Sequence, residues 1–169
     1  MLDIMVNNAV IAGEGKTSIL ETDVAEFEQV VGVNLTGPFI GTKRAARVMI
    51  PNIKGIIIMV GSVCSSVAGI APHVYTSSKH GLIALTKNVA AELGRFGTRV
   101  NCLSPYFIAN VAAKELFNLD DEGYSKVYSN LKGVVLQEED VPEAAVYLAG
   151  DESNTNKRRP LKGMPSGWH

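Results

Sequence analysis

A tyrosine and a lysine lie four residues apart at Tyr75 and Lys79. On a helix this spacing places the two side chains on one face, about one turn apart. A phenol holds its proton until about pH 10, and a neighbouring ammonium favours the phenolate and lowers that pKa. We therefore expect Tyr75 to act as a proton relay activated by Lys79. The alternative is a surface pair on an ordinary helix. Without further features, a tyrosine and a lysine at this spacing favour that alternative.

A serine thirteen residues before Tyr75 favours the catalytic interpretation over the surface pair. Ser62 follows the apolar stretch at residues 56–60, which is typical of a buried strand. A hydroxyl at the carboxyl end of a parallel strand is well placed to hold a substrate oxygen. Ser62, Tyr75 and Lys79 together predict a site that moves a proton to or from an alcohol or a carbonyl.

The elements that must position these residues alternate along the chain. We expect strands at residues 2–6, 56–60 and 99–103. A helix is predicted from Thr22 or Asp23 to about Met49, with Pro51 stopping it and a capping box between Asp23 and Glu26. Further helices are expected at residues 75–96 and 140–148. Strands that alternate with helices favour right-handed crossovers and a parallel sheet, which is the α/β class.

Five motifs, in this order, resemble those of the classical short-chain dehydrogenases/reductases. They are Asn7-Asn8-Ala9, Val33-Asn34-Leu35-Thr36-Gly37, Gly61-Ser62, the stretch from Tyr75 to Lys79, and residues 99–106. The resemblance begins at the fourth strand of the family fold. It implies a partial Rossmann-like, doubly wound parallel sheet that lacks the first three strands and the last. Residues 1–150 are then the C-terminal part of an NAD(P)-binding domain, and residues 151–169 a divergent flexible tail.

Two further stretches, at residues 72–81 and 130–135, are most similar to a plant group within that family. The group includes secoisolariciresinol dehydrogenase, xanthoxin dehydrogenase and momilactone A synthase, which oxidise secondary alcohols of terpenoids and phenolics with NAD. Residues from about 109 to 131 match the variable substrate lid, where Phe117, Tyr124 and Tyr128 suggest an apolar alcohol.

The resemblance implies four catalytic residues: Asn34, Ser62, Tyr75 and Lys79. Asparagine is a poor helix former, and the family's asparagine at the place of Asn34 interrupts its helix and holds a water that relays protons to the lysine. The implied cofactor contacts are Asn8, Ala9, Tyr75, Lys79, Pro105, Ile108 and Asn110. An Asx turn explains Asn8 equally well, Val10 stands where the family has glycine, and Asn110 stands where it has threonine.

The implied cofactor is NAD, with NADP also compatible. The family's TGxxxGIG phosphate loop does not occur in the sequence, since Gly13 and Gly15 lack a third glycine and a strand-turn-helix context. The pyrophosphate that such a loop would hold at a helix N-terminus therefore has no evident host. The residue that distinguishes NAD from NADP is also missing.

Composition favours one globular domain. Of the 169 residues, 46% are hydrophobic and the net charge is -1, which argues against a nucleic-acid partner or a disordered chain. No apolar run approaches the roughly 20 residues of a membrane span, and no signal peptide pattern is present. Cys64 and Cys102 fit reduced thiols in a cytoplasmic protein, and no residues have metal-ligand spacing.

The sequence is compatible with two functions. The first is NAD(P)-dependent oxidation of a secondary alcohol, or reduction of the ketone, on a small terpenoid or phenolic molecule. The second is a catalytically silent fragment that acts by association with an intact relative. The helices after the fourth and fifth family strands often pack against a twin subunit in this family, so the resemblance also implies a homo-oligomer.

Overall fold

Strands and helices alternate in the computed structural model of the chain, which describes residues 1–108 and 136–153. The elements are β1 (Ile4–Asn7), α1 (Val24–Val31), α2 (Gly37–Asn52), β2 (Gly55–Val60), α3 (His73–Leu93), β3 (Thr98–Leu103) and α4 (Asp140–Ala149). A π-helical turn at Gly32–Thr36 joins α1 to α2, and 3-10 turns lie at Val63–Ser65, Gly94–Phe96 and Asp151–Ser153.

The three strands form one parallel sheet in the order β1-β2-β3. Ile4 lies opposite Ile56 in the first pair, and Gly55 lies opposite Thr98 in the second. The α/β class and the parallel sheet predicted from the sequence are therefore confirmed. Because all three strands run in the same direction, the segments that follow them leave the sheet at one edge.

The centre of the core lies between β2 and the helices α2 and α3. Ile57 and Met59 of β2 are fully buried and pack with Met49 of α2 and Leu82 of α3. Ile58 is also fully buried, and alternate residues of a strand point to opposite faces. Strand β2 is thus covered on both faces, as its unbroken apolar run predicted.

The helix predicted from residue 22 or 23 to residue 49 is two helices. The π-helical turn that contains Asn34 separates them, and α2 continues one residue past Pro51 to Asn52. The prediction that Pro51 stops the helix is therefore wrong. A proline in the last turn removes only one backbone hydrogen bond, and the Asn52 side chain donates to the Val48 carbonyl at 2.6 Å.

The predicted capping box at Asp23 is also wrong. Asp23 precedes α1 but makes no side-chain hydrogen bond to it, because its carboxylate accepts from Lys16 at 2.8 Å. Glu26 is turned toward the preceding loop and accepts from the Glu14 backbone N–H at 2.6 Å. Both acidic side chains therefore hold the loop between β1 and α1.

Strand β1 lies at the edge of the described sheet and is shifted slightly from the predicted residues 2–6. Ile4 and Val6 on one of its faces are each 45% exposed. The predictions for Asn110, Phe117, Tyr124 and Tyr128, and those for residues 154–169 of the tail, lie outside the described residues. The first three residues of that predicted tail form the 3-10 turn Asp151–Ser153.

Candidate active site

Ser62 begins the turn that follows β2. Its backbone is extended, with φ -168° and ψ 159°, and its hydroxyl oxygen accepts a hydrogen bond from the Cys64 N–H at 3.2 Å. The Ser62 N–H in turn donates to the Ser65 hydroxyl oxygen at 3.2 Å. On either side, the Gly61 N–H donates to the Leu103 carbonyl at 2.7 Å and the Val63 N–H to the Pro105 carbonyl at 2.8 Å. The segment around Ser62 is therefore fixed to the end of β3.

Tyr75 lies in the first turn of α3, near the Ser62 side chain. The hydrogen bond with the Ser62 side chain lowers the Tyr75 pKa, but burial outweighs it and the net pKa is raised above the ordinary value. The expected net lowering by Lys79 is thus wrong for the chain by itself. The reason is that burial disfavours the charged phenolate.

Lys79 lies one turn further along α3 and is 2% exposed. Its ammonium donates to the Val60 carbonyl at 2.7 Å and lies 5.7 Å from the centre of the Tyr75 ring. Burial lowers the Lys79 pKa to about 8, against an opposing effect of the Cys102 and Cys64 thiols. An ammonium has three N–H donors, and Val60 takes one of them.

Asn34 lies in the π-helical turn and is almost completely buried. Its amide oxygen accepts from the Ile11 N–H at 2.9 Å, and its amide nitrogen donates to the Ile11 carbonyl at 2.8 Å and to the Ser78 hydroxyl at 3.0 Å. The side chain connects the loop after β1 to α3, and none of these three hydrogen bonds is to Lys79. The helix interruption that the resemblance implied at Asn34 is present as this π-helical turn.

The residues expected to contact the cofactor lie beyond the carboxyl ends of β1 and β3. Asn8 and Ala9 are exposed directly after β1, while Pro105 and Ile108 are half-buried after β3. Val10 does not adopt a positive φ, so its side chain introduces no backbone strain at the position where the family has glycine. The described site residues therefore gather at one edge of the sheet.

Sequence reasoning missed two buried hydroxyls in this site, those of Ser65 and Ser78. Ser78 is fully buried, and its hydroxyl donates to the Tyr75 carbonyl at 2.7 Å while accepting from Asn34. Ser65 is 5% exposed and pairs with Ser62. The spacing of three residues between Ser62 and Ser65 is the available signal, because two such hydroxyls can cap each other's backbone.

In residues 1–108 and 136–153, no group of His, Cys, Asp or Glu side chains has the arrangement of a metal site. None of the helices in these ranges combines the length and hydropathy that crossing a bilayer requires. Cys64 and Cys102 are both free thiols.

Comparison with known proteins agrees with this geometry. A family model described as "Enoyl-(Acyl carrier protein) reductase" matches residues 1–156. Among curated relatives, the mitochondrial borneol dehydrogenase of Lavandula x intermedia is 51% identical over 152 residues, covering 90% of this chain and 57% of the relative. The secoisolariciresinol dehydrogenase of Forsythia intermedia is 44% identical over 156 residues, covering 90% and 56%. The chain thus spans somewhat more than half the length of these relatives.

A solved structure of 4-hydroxyisoleucine dehydrogenase complexed with NADH superimposes with a TM-score of 0.76 at 30% identity, covering 90% of this chain and 63% of that one. The family match and the plant relatives confirm the resemblance that the sequence motifs indicated. The chain belongs to the short-chain dehydrogenase/reductase family of oxidoreductases.

Proposed function

We propose that the chain carries the catalytic part of an NAD(P)-dependent enzyme that interconverts a secondary alcohol and a ketone. The observation that carries this proposal is the position of the buried Lys79 ammonium 5.7 Å from the centre of the Tyr75 ring, with the Ser62 side chain close enough to lower the Tyr75 pKa. A hydroxyl that anchors an oxygen, a phenol that exchanges a proton and a buried cation are the groups that this reaction requires. In this proposal residues 1–150 belong to the NAD(P)-binding domain.

Each side chain has a distinct role. Ser62 holds the substrate oxygen through its hydroxyl, and Tyr75 takes the proton from an alcohol or returns it to a ketone. Lys79 supplies positive charge beside the phenol, which favours the phenolate during turnover. Asn34 holds the loop after β1 against the helix α3 through its hydrogen bonds to Ile11 and Ser78. The nicotinamide, when bound, supplies the chemistry of hydride transfer.

The described residues fit the nicotinamide and its ribose. Lys79 retains two N–H donors after its bond to Val60, and ribose hydroxyls are suitable acceptors. Asn8 and Ala9 are exposed at the end of β1 on the same edge of the sheet as Ser62. The NADH complex of 4-hydroxyisoleucine dehydrogenase favours NAD over NADP as the proposed cofactor. NADP is the alternative cofactor, and the binding experiment below includes its reduced form.

The substrate class rests on the relatives. Borneol dehydrogenase and secoisolariciresinol dehydrogenase are named for a terpenoid and a phenolic compound, so we infer a terpenoid or phenolic secondary alcohol.

A homo-oligomer formed through α2 and α3 belongs to the same proposal. It is supported by the exposed apolar side chains Phe39 and Ile40 of α2, which are 48% and 46% exposed. A cytoplasmic location of the protein is also part of the proposed function.

Turnover and cofactor binding test this function separately. The purified chain is titrated with NADH and with NADPH by fluorescence, and then assayed for NADH production from NAD and borneol. We expect saturable binding and turnover, with Tyr75→Phe losing turnover while keeping binding. Lys79→Met is expected to lose both. Binding that is equal in the wild type and in Lys79→Met would contradict the assignment of Lys79.

The second candidate function is association without catalysis. One observation favours it: β1 lies at the edge of the described sheet, with Ile4 and Val6 each 45% exposed. An apolar parallel edge is a surface that pairs with another chain. If the chain binds no nicotinamide cofactor but comigrates with an intact homologue in size-exclusion chromatography, this function replaces the first.

A further inference from the structure

Ser65 and Ser62 cap each other within a single turn. The Ser65 hydroxyl oxygen accepts from the Ser62 N–H at 3.2 Å, and the Ser65 N–H donates to the Ser62 carbonyl at 2.9 Å. The Ser62 hydroxyl oxygen accepts from the Cys64 N–H at 3.2 Å. Ser65 is 5% exposed, so its hydroxyl is held in a protein environment with little access to water.

The backbone around Ser62 shows why this contact matters. The N–H groups of Gly61 and Val63 donate to carbonyls that follow or end β3, at 2.7 and 2.8 Å. In an extended segment alternate N–H groups point in opposite directions, so the Ser62 N–H points away from β3. Among the described residues, the Ser65 hydroxyl is the partner that this N–H has.

We propose that Ser65 is a positioning residue that holds the Ser62 hydroxyl toward Tyr75. The claim rests on the proposed function only in treating Ser62 and Tyr75 as the reacting pair. Its physical content, the orientation of Ser62 by Ser65, can be measured on the chain without a cofactor.

Removing the Ser65 hydroxyl breaks one hydrogen bond, that from the Ser62 N–H, with two consequences. It leaves the Ser62 N–H without its partner, and it releases one of the bonds that keep the turn at Val63–Ser65 closed. The turn then relaxes, and the Ser62 hydroxyl moves relative to Tyr75. Reacting groups are sensitive to such shifts, because a displacement of about 1 Å can cost roughly a hundredfold in rate.

The test is the titration of Tyr75, followed by NMR on protein with carbon-13-labelled tyrosine rings and assigned with Tyr75→Phe. Ser62→Ala should raise the Tyr75 pKa, because the hydrogen bond from Ser62 lowers it. We expect Ser65→Ala to raise it by a large part of that shift and Ser65→Thr, which keeps a hydroxyl, to restore it. Ser66→Ala is the matched control, because Ser66 is the neighbouring, exposed serine, and it should leave the pKa unchanged.

Two results would overturn the proposal: an unchanged Tyr75 pKa in Ser65→Ala while Ser62→Ala raises it, or an unchanged pKa in Ser62→Ala itself. If Ser65→Ala does not fold, Ser65→Cys decides in its place, since a thiol fills the space of the hydroxyl, being slightly larger, but is a weak acceptor. A raised pKa in Ser65→Cys supports the proposal, and an unchanged one overturns it.

Enzymatic activity tests the role of Ser65 independently of the Tyr75 titration. We expect kcat/KM of Ser65→Ala to fall about three- to tenfold, the factor that corresponds to one ordinary hydrogen bond, with the affinity for NADH unchanged. A wild-type chain without turnover would refute the proposed function, yet the Tyr75 titration would still decide the role of Ser65.

Discussion

The side-chain amide of Asn34 donates a hydrogen bond to the Ser78 hydroxyl at 3.0 Å, and that hydroxyl donates to the Tyr75 carbonyl at 2.7 Å. These two bonds tie the π-helical turn between α1 and α2 to the first turn of α3. Because the same amide also pairs with both backbone groups of Ile11, Asn34 joins three separate segments of the site. Its side chain is therefore a structural link as well as a candidate member of the proton relay.

Asn34→Ala should destabilise the chain. The substitution leaves the Ile11 N–H and carbonyl without their Asn34 partners and removes the donor to the Ser78 hydroxyl oxygen, which keeps its own bond to the Tyr75 carbonyl. Each unsatisfied buried group costs about 1–3 kcal/mol. We expect the free energy of unfolding to fall by about 2–4 kcal/mol in urea denaturation. Asn88→Ala, at an exposed position of α3, is the control. Equal stability of the two variants would contradict this role of Asn34.

Lys79→Met should raise stability near neutral pH while removing the proposed cofactor contact. The Lys79 pKa is lowered from 10.5 to about 8 in the folded chain. Below about pH 8 the folded state therefore bears the full cost of a buried charge. Between about pH 8 and 10.5 the unfolded chain binds more protons, so this cost disappears and wild-type stability rises with pH.

We expect Lys79→Met to be more stable than the wild type by up to about 3 kcal/mol at pH 7, reduced by loss of the bond to the Val60 carbonyl. The difference should shrink toward about pH 9.5, which is still below the ordinary tyrosine pKa of about 10. Denaturation at both pH values measures it, with the exposed Lys87→Met as the matched variant. A stability difference that does not change with pH would show that Lys79 is not a buried cation.

Arg99→Lys should loosen α4 from the sheet. The Arg99 guanidinium donates to the carbonyls of Leu148 and Gly150, each at 3.0 Å, and to the Ser153 hydroxyl at 2.7 Å. An ammonium cannot reproduce this fork of donors. We expect a loss of about 1–3 kcal/mol in the free energy of unfolding and faster hydrogen exchange in α4. The control is Arg95→Lys at an exposed position, which should change neither measurement. Hydrogen exchange in α4 of Arg99→Lys that is as slow as in the wild type would contradict this role of Arg99.

Ile53→Gly should stabilise the chain. Ile53 ends α2 in the left-handed region, with φ 52° and ψ 33°, and its side chain is 73% exposed. This conformation costs an L-residue about 1–2 kcal/mol, and glycine avoids it at the expense of a more flexible unfolded chain. We expect a net gain of about 0.5–1 kcal/mol, measured by thermal unfolding.

Gly97→Ala should act in the opposite direction. Gly97 has φ +70°, and a Cβ there would lie 2.5 Å from the Ile53 carbonyl oxygen, which is part of the backbone and cannot move aside cheaply. The melting temperature should therefore fall. If Ile53→Gly also lowers the melting temperature, the exposed isoleucine contributes more by packing than its backbone conformation costs.

Local patterns in the sequence were sufficient for the strands and their alternation with helices, and they supplied the candidate group Ser62, Tyr75 and Lys79. The run at residues 56–60 is apolar on both faces, so it predicted the buried strand β2 that the structure contains. The Ser62, Tyr75 and Lys79 spacing depends on one strand end and one helical turn, which are short-range features. The family motifs then fixed the class of protein to which the chain belongs.

The tertiary structure alone decided what surrounds those groups. The direction of the Tyr75 pKa depends on how deeply distant segments bury the ring, and burial is a sum over contacts that no local pattern contains. The partners of Asn34 and Arg99 lie 23 to 54 residues away along the chain, and the pairing of Ser65 with Ser62 depends on the closure of a single turn. Sequence spacing therefore predicted the candidate reactive groups, whereas long-range packing set the direction of their pKa shifts and their hydrogen-bond partners.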